Sequence, residues 1–270
     1  MKRLILFYFL TVVLCINSNA QSINDLMIGI IASSDSAPPI DPPVGLEVGN
    51  IAYLGLDETS GTIAYDATGN YNFTNQNVTV NQSGKIETAY QLTGTSTSRL
   101  YNPDLLNTVP PAFSISTWVY FPTLSTMQRI FGKQNGNNAR RFYLILINNS
   151  GYKLRMDYEI ENSGYIVGSY GITNFSAETW YHIVLNWSET NGLNIYVNNS
   201  IDLSVPSLTT MIGDAYDAYA YFSLGSYIAG TVWYSSVIRV DESAVWEREL
   251  TTDEITLLYN SGNGLPRSEW

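Results

Sequence analysis

The stretch Asp157-Tyr158-Glu159-Ile160-Glu161 comes closest, in residue type and spacing, to a reaction centre. Alternation along a β-strand would put all three carboxyl groups on one face, with successive Cα atoms of that row about 6.5–7 Å apart. A retaining glycosidase uses two carboxyls roughly 5–5.5 Å apart, one as nucleophile and the other as acid and then base, and neighbours in such a row can reach that separation. Asn162-Ser163-Gly164 follows as a hairpin turn, so a solvated strand end in an acidic protein accounts for the same residues. Other catalytic chemistries have little to work with. The chain carries one histidine, His182, and one cysteine, Cys15, whereas zinc sites and Cys-His or Ser-His catalysis need more. His182 falls in the apolar strand pattern from Trp180 to Trp187, where a packed or hydrogen-bonded imidazole is expected.

Aromatic residues offer binding chemistry instead. The chain holds 20 tyrosines and 6 tryptophans. Sugar rings present C–H faces that stack on aromatic planes, and hydroxyls that suit Asp, Asn and Arg. Trp118, Trp180, Trp187 and Trp246 are expected mostly in the core. The less patterned run DAYDAYAYF, residues 214 to 222, reads as a loop entering a strand. Its Tyr216, Asp217, Tyr219 and Tyr221, together with Trp233 and Arg140, form the candidate ligand-binding set. Arg140 would pair an acidic sugar or a nearby carboxylate.

The elements that must position these groups are short strands. From about Asn50 to Val240, apolar and polar residues alternate in brief runs divided by Gly, Asn, Ser and Asp, the pattern of many antiparallel strands in two stacked sheets. Phe113, Ile115, Thr117, Val119 and Phe121 share one strand face, leaving Ser114, Ser116, Trp118 and Tyr120 on the other, and the sequence does not say which is core. The segment from Val237 to Trp246 reads as a long strand with a bend. A helix then starts at Thr251, where Thr251 and Glu254 form a capping box. Ile255, Leu258 and Tyr259 supply its apolar stripe, and Gly262 or Gly264 and Pro266 end it.

Upstream, Lys2-Arg3, an apolar run from Leu4 to Ile16, and Ser18-Asn19-Ala20 predict a signal peptide over residues 1–20, and hence a secreted, extracellular or periplasmic protein. The run is shorter than the ~20 residues of a membrane span. Cys15 would leave with the signal, so the mature chain has no disulfide. Loss of Lys2 and Arg3 takes the formal charge from −11 to −13. Such a charge argues against nucleic acid and anionic membrane as partners and is compatible with neutral glycans or calcium. Residues 21–49 read as an apolar patch followed by a proline-rich linker.

Four segments in order carry a family resemblance: residues 53 to 74, 113 to 121, 180 to 200, and the closing run VIRVDESAVWERELTTDEITLLYNSGNGLP at 237 to 266. The chain resembles the laminin-G-like jelly rolls of the concanavalin A-like lectin/glucanase superfamily over residues 50–266, with 267–270 as a tail. The resemblance implies an all-β, antiparallel two-sheet β-sandwich with a short C-terminal helix. The family is functionally broad, with carbohydrate-binding modules, adhesion and receptor-recognition domains and distant glycosidases and lyases among its members, so the resemblance does not by itself give the function. Together with the aromatic surplus and the missing catalytic groups it leads to the expectation of a non-catalytic, lectin-like protein with a carbohydrate or extracellular glycoconjugate as partner, with an adhesion protein binding a surface protein as the alternative and a jelly-roll glycoside hydrolase or polysaccharide lyase as the third. Jelly-roll glucanases carry Glu-x-Asp-x-Glu, and here the first two acids are exchanged, which shortens the reach of a nucleophile at Asp157. Related domains hold a structural calcium where the last long strand meets the N-terminal part. Asp241 with Asp66 and Asn70 would supply hard oxygens for Ca2+ here, although turn formation accounts for Asp66 as well.

Overall fold

The computed structural model describes residues 45–134, 140–159, 166–210, 220–229 and 232–270. All belong to the unit Pro43–Trp270. Residues 1–44, with the expected signal peptide and most of the expected linker region, lie outside the described residues.

The described strands form two large antiparallel sheets. The first runs in the order β14 (Ser200–Val205), β13 (Gly192–Val197), β12 (Trp180–Ser188), β7 (Ala112–Tyr120), β18 (Val237–Trp246), β5 (Thr88–Thr93) and β4 (Thr79–Ser83), with β1 (Asn50–Leu54) also paired to β18. The second runs β11 (Ile166–Tyr170), β10 (Tyr152–Glu159), β9 (Arg140–Asn148), β8 (Met127–Gln134), β15 (Tyr221–Leu224), β6 (Arg99–Asn102), β3 (Phe73–Gln76) and β2 (Ile63–Ala64). A small hairpin, β16 (Ser226–Ala229) and β17 (Val232–Ser235), packs on β8 and β6.

Period-two alternation decides what each sheet buries. In β7, Phe113, Ile115 and Val119 face the second sheet and share a core with Phe142, Leu144 and Leu146 of β9 and Leu154 and Met156 of β10. Phe113 lies 5.4 Å from Phe142, ring centre to ring centre, across the sandwich. Each such side chain removed from water contributes about 1.5–3 kcal/mol.

The other face of β7 is not solvent-facing. Ser116 and Trp118 lie there with His182 of β12, under α1 (Thr252–Tyr259), whose Ile255 and Leu258 join Val184, Ala244 and Trp246 in a second core. The helix starts on the expected capping box: the Glu254 N–H donates to Thr251 Oγ1 at 3.2 Å and the Thr251 N–H to Glu254 Oε2 at 2.8 Å. Its end differs in detail, because Asn260 takes the first left-handed position (φ 45°) ahead of Gly262 and Gly264. Asn tolerates that conformation better than most residues, and here its Nδ2 donates to the Gly264 carbonyl. Packing continues to the last residue: Trp270 stacks on Trp246 at 5.5 Å.

Strand β18 changes partners midway. Val237 to Val240 pair with β5, and Ser243 to Trp246 pair with β1. Between them the register to β7 shifts at Asp241/Ala244, and Glu242 adopts φ 47°. This bulge is the bend expected from the sequence.

Candidate functional site

The two outer faces of the sandwich differ in how they are covered, and the binding candidates gather on one of them. On the second sheet, residues that alternate out of the core line up across strands. Reading the pairings in turn, Gly168, Asp157, Tyr143, Gly132, Ser223, Tyr101 and Thr74 form one row from β11 to β3. Gly132 is required for that row, since a Cβ there would stand 2.6 Å from the Cβ of Tyr143.

Along the row sits an aromatic cluster. Tyr101, Tyr221 and Trp233 approach one another at 5.1–5.5 Å between ring centres. Arg99 lays its guanidinium 5.1 Å from the Trp233 ring centre and is held by Gln76 Oε1, which accepts from its Nε at 2.6 Å. Trp233 is 7% exposed and braces the half-buried Tyr101 and Tyr221 from the hairpin side. The other face of the hairpin carries Tyr227 stacked on Tyr234 at 4.8 Å, and Tyr234 is 48% exposed. Two sequence candidates, Tyr221 and Trp233, are therefore brought together. Tyr216, Asp217 and Tyr219 lie outside the described residues, and of Arg140 only the backbone, at the start of β9, is described.

The carboxylate row of the sequence is represented by Asp157. It is buried, and its Oδ2 takes a hydrogen bond and ion pair from Arg155 Nη2 at 2.5 Å. Gly168 opposite leaves room for the carboxyl, because a Cβ there would lie 2.9 Å from Asp157 Oδ1. Glu159 ends β10, paired with Ile166, its side chain not described, and Glu161 lies outside the described residues.

The proposed calcium ligands are engaged otherwise. Asp66 Oδ1 accepts from the backbone N–H groups of Tyr53 and Thr68 at 2.8 and 2.9 Å. Its Oδ2 accepts from the Thr68 hydroxyl and the N–H groups of Asn70 and Tyr71 at 2.6–3.0 Å. Asn70 donates its side-chain amide to the Ile51 carbonyl. Asp241 Oδ2 accepts from the N–H groups of Lys85 and Ile86 at 2.7 and 3.0 Å, and Oδ1 from Glu242 N–H at 2.9 Å. Among the described residues no group of three or more His, Cys, Asp or Glu is placed to hold a metal ion. Donor hydrogens already converge on both carboxylates, so a calcium ion, which takes six to eight oxygens, would have to displace them to use Asp66, Asn70 and Asp241.

What Asp241 does is tie the β4–β5 connection at Lys85 and Ile86 to the bulge of β18. Burial pushes its pKa up to about 9, with repulsion from Glu242 adding and the Ile86 and Lys85 amides opposing. Burial likewise raises Glu242 to about 8, against the hydrogen bond from the Tyr53 hydroxyl. His182 is packed as expected: Nε2 bonds Ser116 Oγ at 2.8 Å, the ring lies 5.1 Å from Trp118, and burial drops its pKa to about 3.

Several residues of the outer face went unread in the sequence: Arg99, Tyr101, Arg129, Tyr143, Tyr227 and Tyr234. Alternation within Arg99-Leu100-Tyr101-Asn102 and Phe142-Tyr143-Leu144 marks which side chains leave the core, but not which strands lie beside one another.

Comparison with known proteins gives the same architecture. The ligand-binding domain of botulinum neurotoxin serotype D, solved with N-acetylneuraminic acid, superposes with a TM-score of 0.59 at 14% identity, covering 78% of this chain and 50% of that one. Domain 4 of AbnA, a GH43 extracellular arabinanase from Geobacillus stearothermophilus, solved with arabinotriose, gives 0.56 at 18% identity, covering 80% of this chain and 98% of that one. At such identities the likeness concerns the fold. Among curated sequences, adhesion G-protein coupled receptor D1 of Bos taurus is 33% identical over 85 residues, spanning 32% of this chain and 9% of the receptor. No helix among the described residues is long and apolar enough to cross a membrane. The family model Laminin_G_3 matches residues 92–256, more than half of the sequence, and the chain belongs to the concanavalin A-like lectin/glucanases superfamily.

Proposed function

We propose that the protein is a secreted, non-catalytic, lectin-like jelly roll that binds extracellular or cell-surface glycans on the outer face of its second sheet. The observation that carries this reading is the half-exposed pair Tyr101 and Tyr221, braced by Trp233 and flanked by Arg99. Flat ring surface beside a fixed hydrogen-bond donor suits a pyranose, which is apolar on its faces and polar at its rim. The sugars present in the two superposed domains support a glycan as the ligand class. A glycan array probed with the whole protein, followed by titration calorimetry on the hits, is expected to give saturable binding that Tyr101→Ala or Tyr221→Ala weakens at least tenfold. Silence across the array from folded protein would remove this reading.

A second reading is adhesion through a protein partner. Ile172 and Ile201, 72% and 54% exposed, stand near the meeting of the terminal strands β11 and β14, where Asp202 Oδ1 accepts from the N–H groups of Ile172 and Thr173 at 3.1 and 2.6 Å. Two exposed isoleucines beside sheet edges suit a protein surface better than a sugar. Array silence together with a partner lost on Ile172→Ser and Ile201→Ser would favour it.

A further inference from the structure

Arg129, on β8 of the same face, is only 8% exposed and has no carboxylate beside it among the described residues. Its guanidinium lies between two rings, 4.1 Å from the centre of Tyr143 and 4.0 Å from that of Tyr227. Its Nε and Nη1 are buried without a hydrogen-bond partner among the described residues. Its backbone N–H is engaged, donating to Ser236 Oγ at 2.5 Å. The carboxylate of the neighbouring row, Asp157, is taken by Arg155.

A buried cation ordinarily has a counter-charge, because stacking on aromatic faces contributes only about 0.5–2 kcal/mol and leaves the N–H groups unsatisfied. The sandwich also restricts how a partner can approach. With the ring centres 4.1 and 4.0 Å from the guanidinium carbon, an acceptor meets the least ring surface by coming edge-on, in the plane of the fork. A planar carboxylate with two parallel acceptor oxygens fits that approach.

We infer that Arg129 is the seat for the carboxylate of an acidic sugar, a uronate or a sialate, held edge-on between Tyr143 and Tyr227 with the hairpin β16–β17 as its outer wall. The inference rests on the reading that this face binds glycans, and it adds a charge requirement to that reading. It also reconciles a binding face with an acidic protein. The net charge of −11 does not attract anions, so selection for an acidic sugar has to come from one desolvated cation.

Titration calorimetry on the whole protein with 3′-sialyllactose against lactose, and glucuronate against glucose, separates the two sources of carboxylate. At least one acidic sugar is expected to bind ten times or more tightly than its neutral counterpart. Arg129→Lys keeps the charge and loses the fork, and should bring that ratio to within about twofold. If Arg129→Lys melts early, Tyr227→Leu in the surface hairpin opens the same seat and should lower the ratio in the same way. Equal binding of acidic and neutral sugars by the unmodified protein overturns the carboxylate seat while leaving glycan binding standing. Binding of no sugar overturns both. An acid preference that survives Arg129→Lys and Tyr227→Leu places the carboxylate elsewhere and overturns the assignment.

Discussion

Arg248 and Arg129 both lie beside aromatic-rich faces, yet among the described residues only Arg248 is answered by a carboxylate. Arg248 grips Glu254 through Nη1 and Nη2 at 2.8 and 2.6 Å, and its remaining N–H groups reach the carbonyls of Val48, Gly45 and Glu249. Arg129 has two ring centres 4.1 and 4.0 Å away, and its Nε and Nη1 have no hydrogen-bond partner among the described residues. On the helix-covered face of the first sheet the charge is paired, while His182 Nδ1 and Trp270 Nε1 lack a hydrogen-bond partner among the described residues. The hairpin-covered face of the second sheet keeps its aromatic surface half open and, among the described residues, leaves Arg129 without a counter-charge. What separates the two faces is the charge: a paired one holds the fold together, and a buried one without a counter-charge leaves room for a ligand to supply it.

The widest separation between the two faces should come from Trp246, fully buried, stacked on Trp270 and donating from Nε1 to the Leu46 carbonyl at 2.6 Å. Trp246→Ala should cost about 3–5 kcal/mol in urea unfolding. Sugar affinity should be unchanged at temperatures where the variant is folded, and a variant as stable as the parent would break the contrast.

Glu254→Ala removes the carboxylate from a buried pair and from the capping box at once. A loss of about 3 kcal/mol is expected, because the Arg248 charge would be left without its partner. A double-mutant cycle with Arg248→Ala should show strong coupling.

On the opposite face the order of effects reverses. Tyr221→Ala should lower sugar affinity at least tenfold, about 1.4 kcal/mol, while shifting the urea midpoint far less than Trp246→Ala does. Loss of stability comparable to that of Trp246→Ala would show that the aromatic cluster serves the fold as well.

The β18 bulge beneath the helix-covered face adds a pH response that, among the described residues, the opposite face lacks. Asp241 and Glu242 have folded-state pKa values raised to about 9 and about 8 by burial, above the values near 4 expected in the unfolded chain. Protons held in the folded state are therefore released on unfolding at neutral pH, so the stabilising contribution is complete below about pH 4 and is lost as pH rises through 8 to 9. The melting temperature should fall between pH 6 and pH 9, and Asp241→Asn should flatten that slope. A rise over the same interval would contradict the burial argument.

The smallest response is expected from calcium. Because the oxygens of Asp66 and Asp241 already accept backbone donors, adding calcium to chelator-treated protein should move the melting temperature by less than about a degree. A clear increase would restore the expectation of a structural ion.

Much of the sandwich is legible from local signals. Alternation in the Phe113-to-Phe121 run, the capping box at Thr251 and Glu254, and the bend at Asp241-Glu242 are each written within a few consecutive residues, and each is present in the structure. The candidate site was legible only in pieces. Tyr221 and Trp233 stood out because aromatics crowd the sequence near them. Tyr101 and Arg129 did not, since nothing beside them in the chain distinguishes them from any outward-facing strand residue.

The sequence by itself determined the element types, the closing strand and helix, and the superfamily, because hydrogen bonding along a helix turn and side-chain alternation along a strand are short-range properties. Only the tertiary structure decided that Ser116 and Trp118 lie under a helix while Tyr101, Tyr143 and Arg129 share a hairpin-covered face. Strand neighbours are fixed by register and by the burial of both sheets against one another, and those are properties of the whole packed chain.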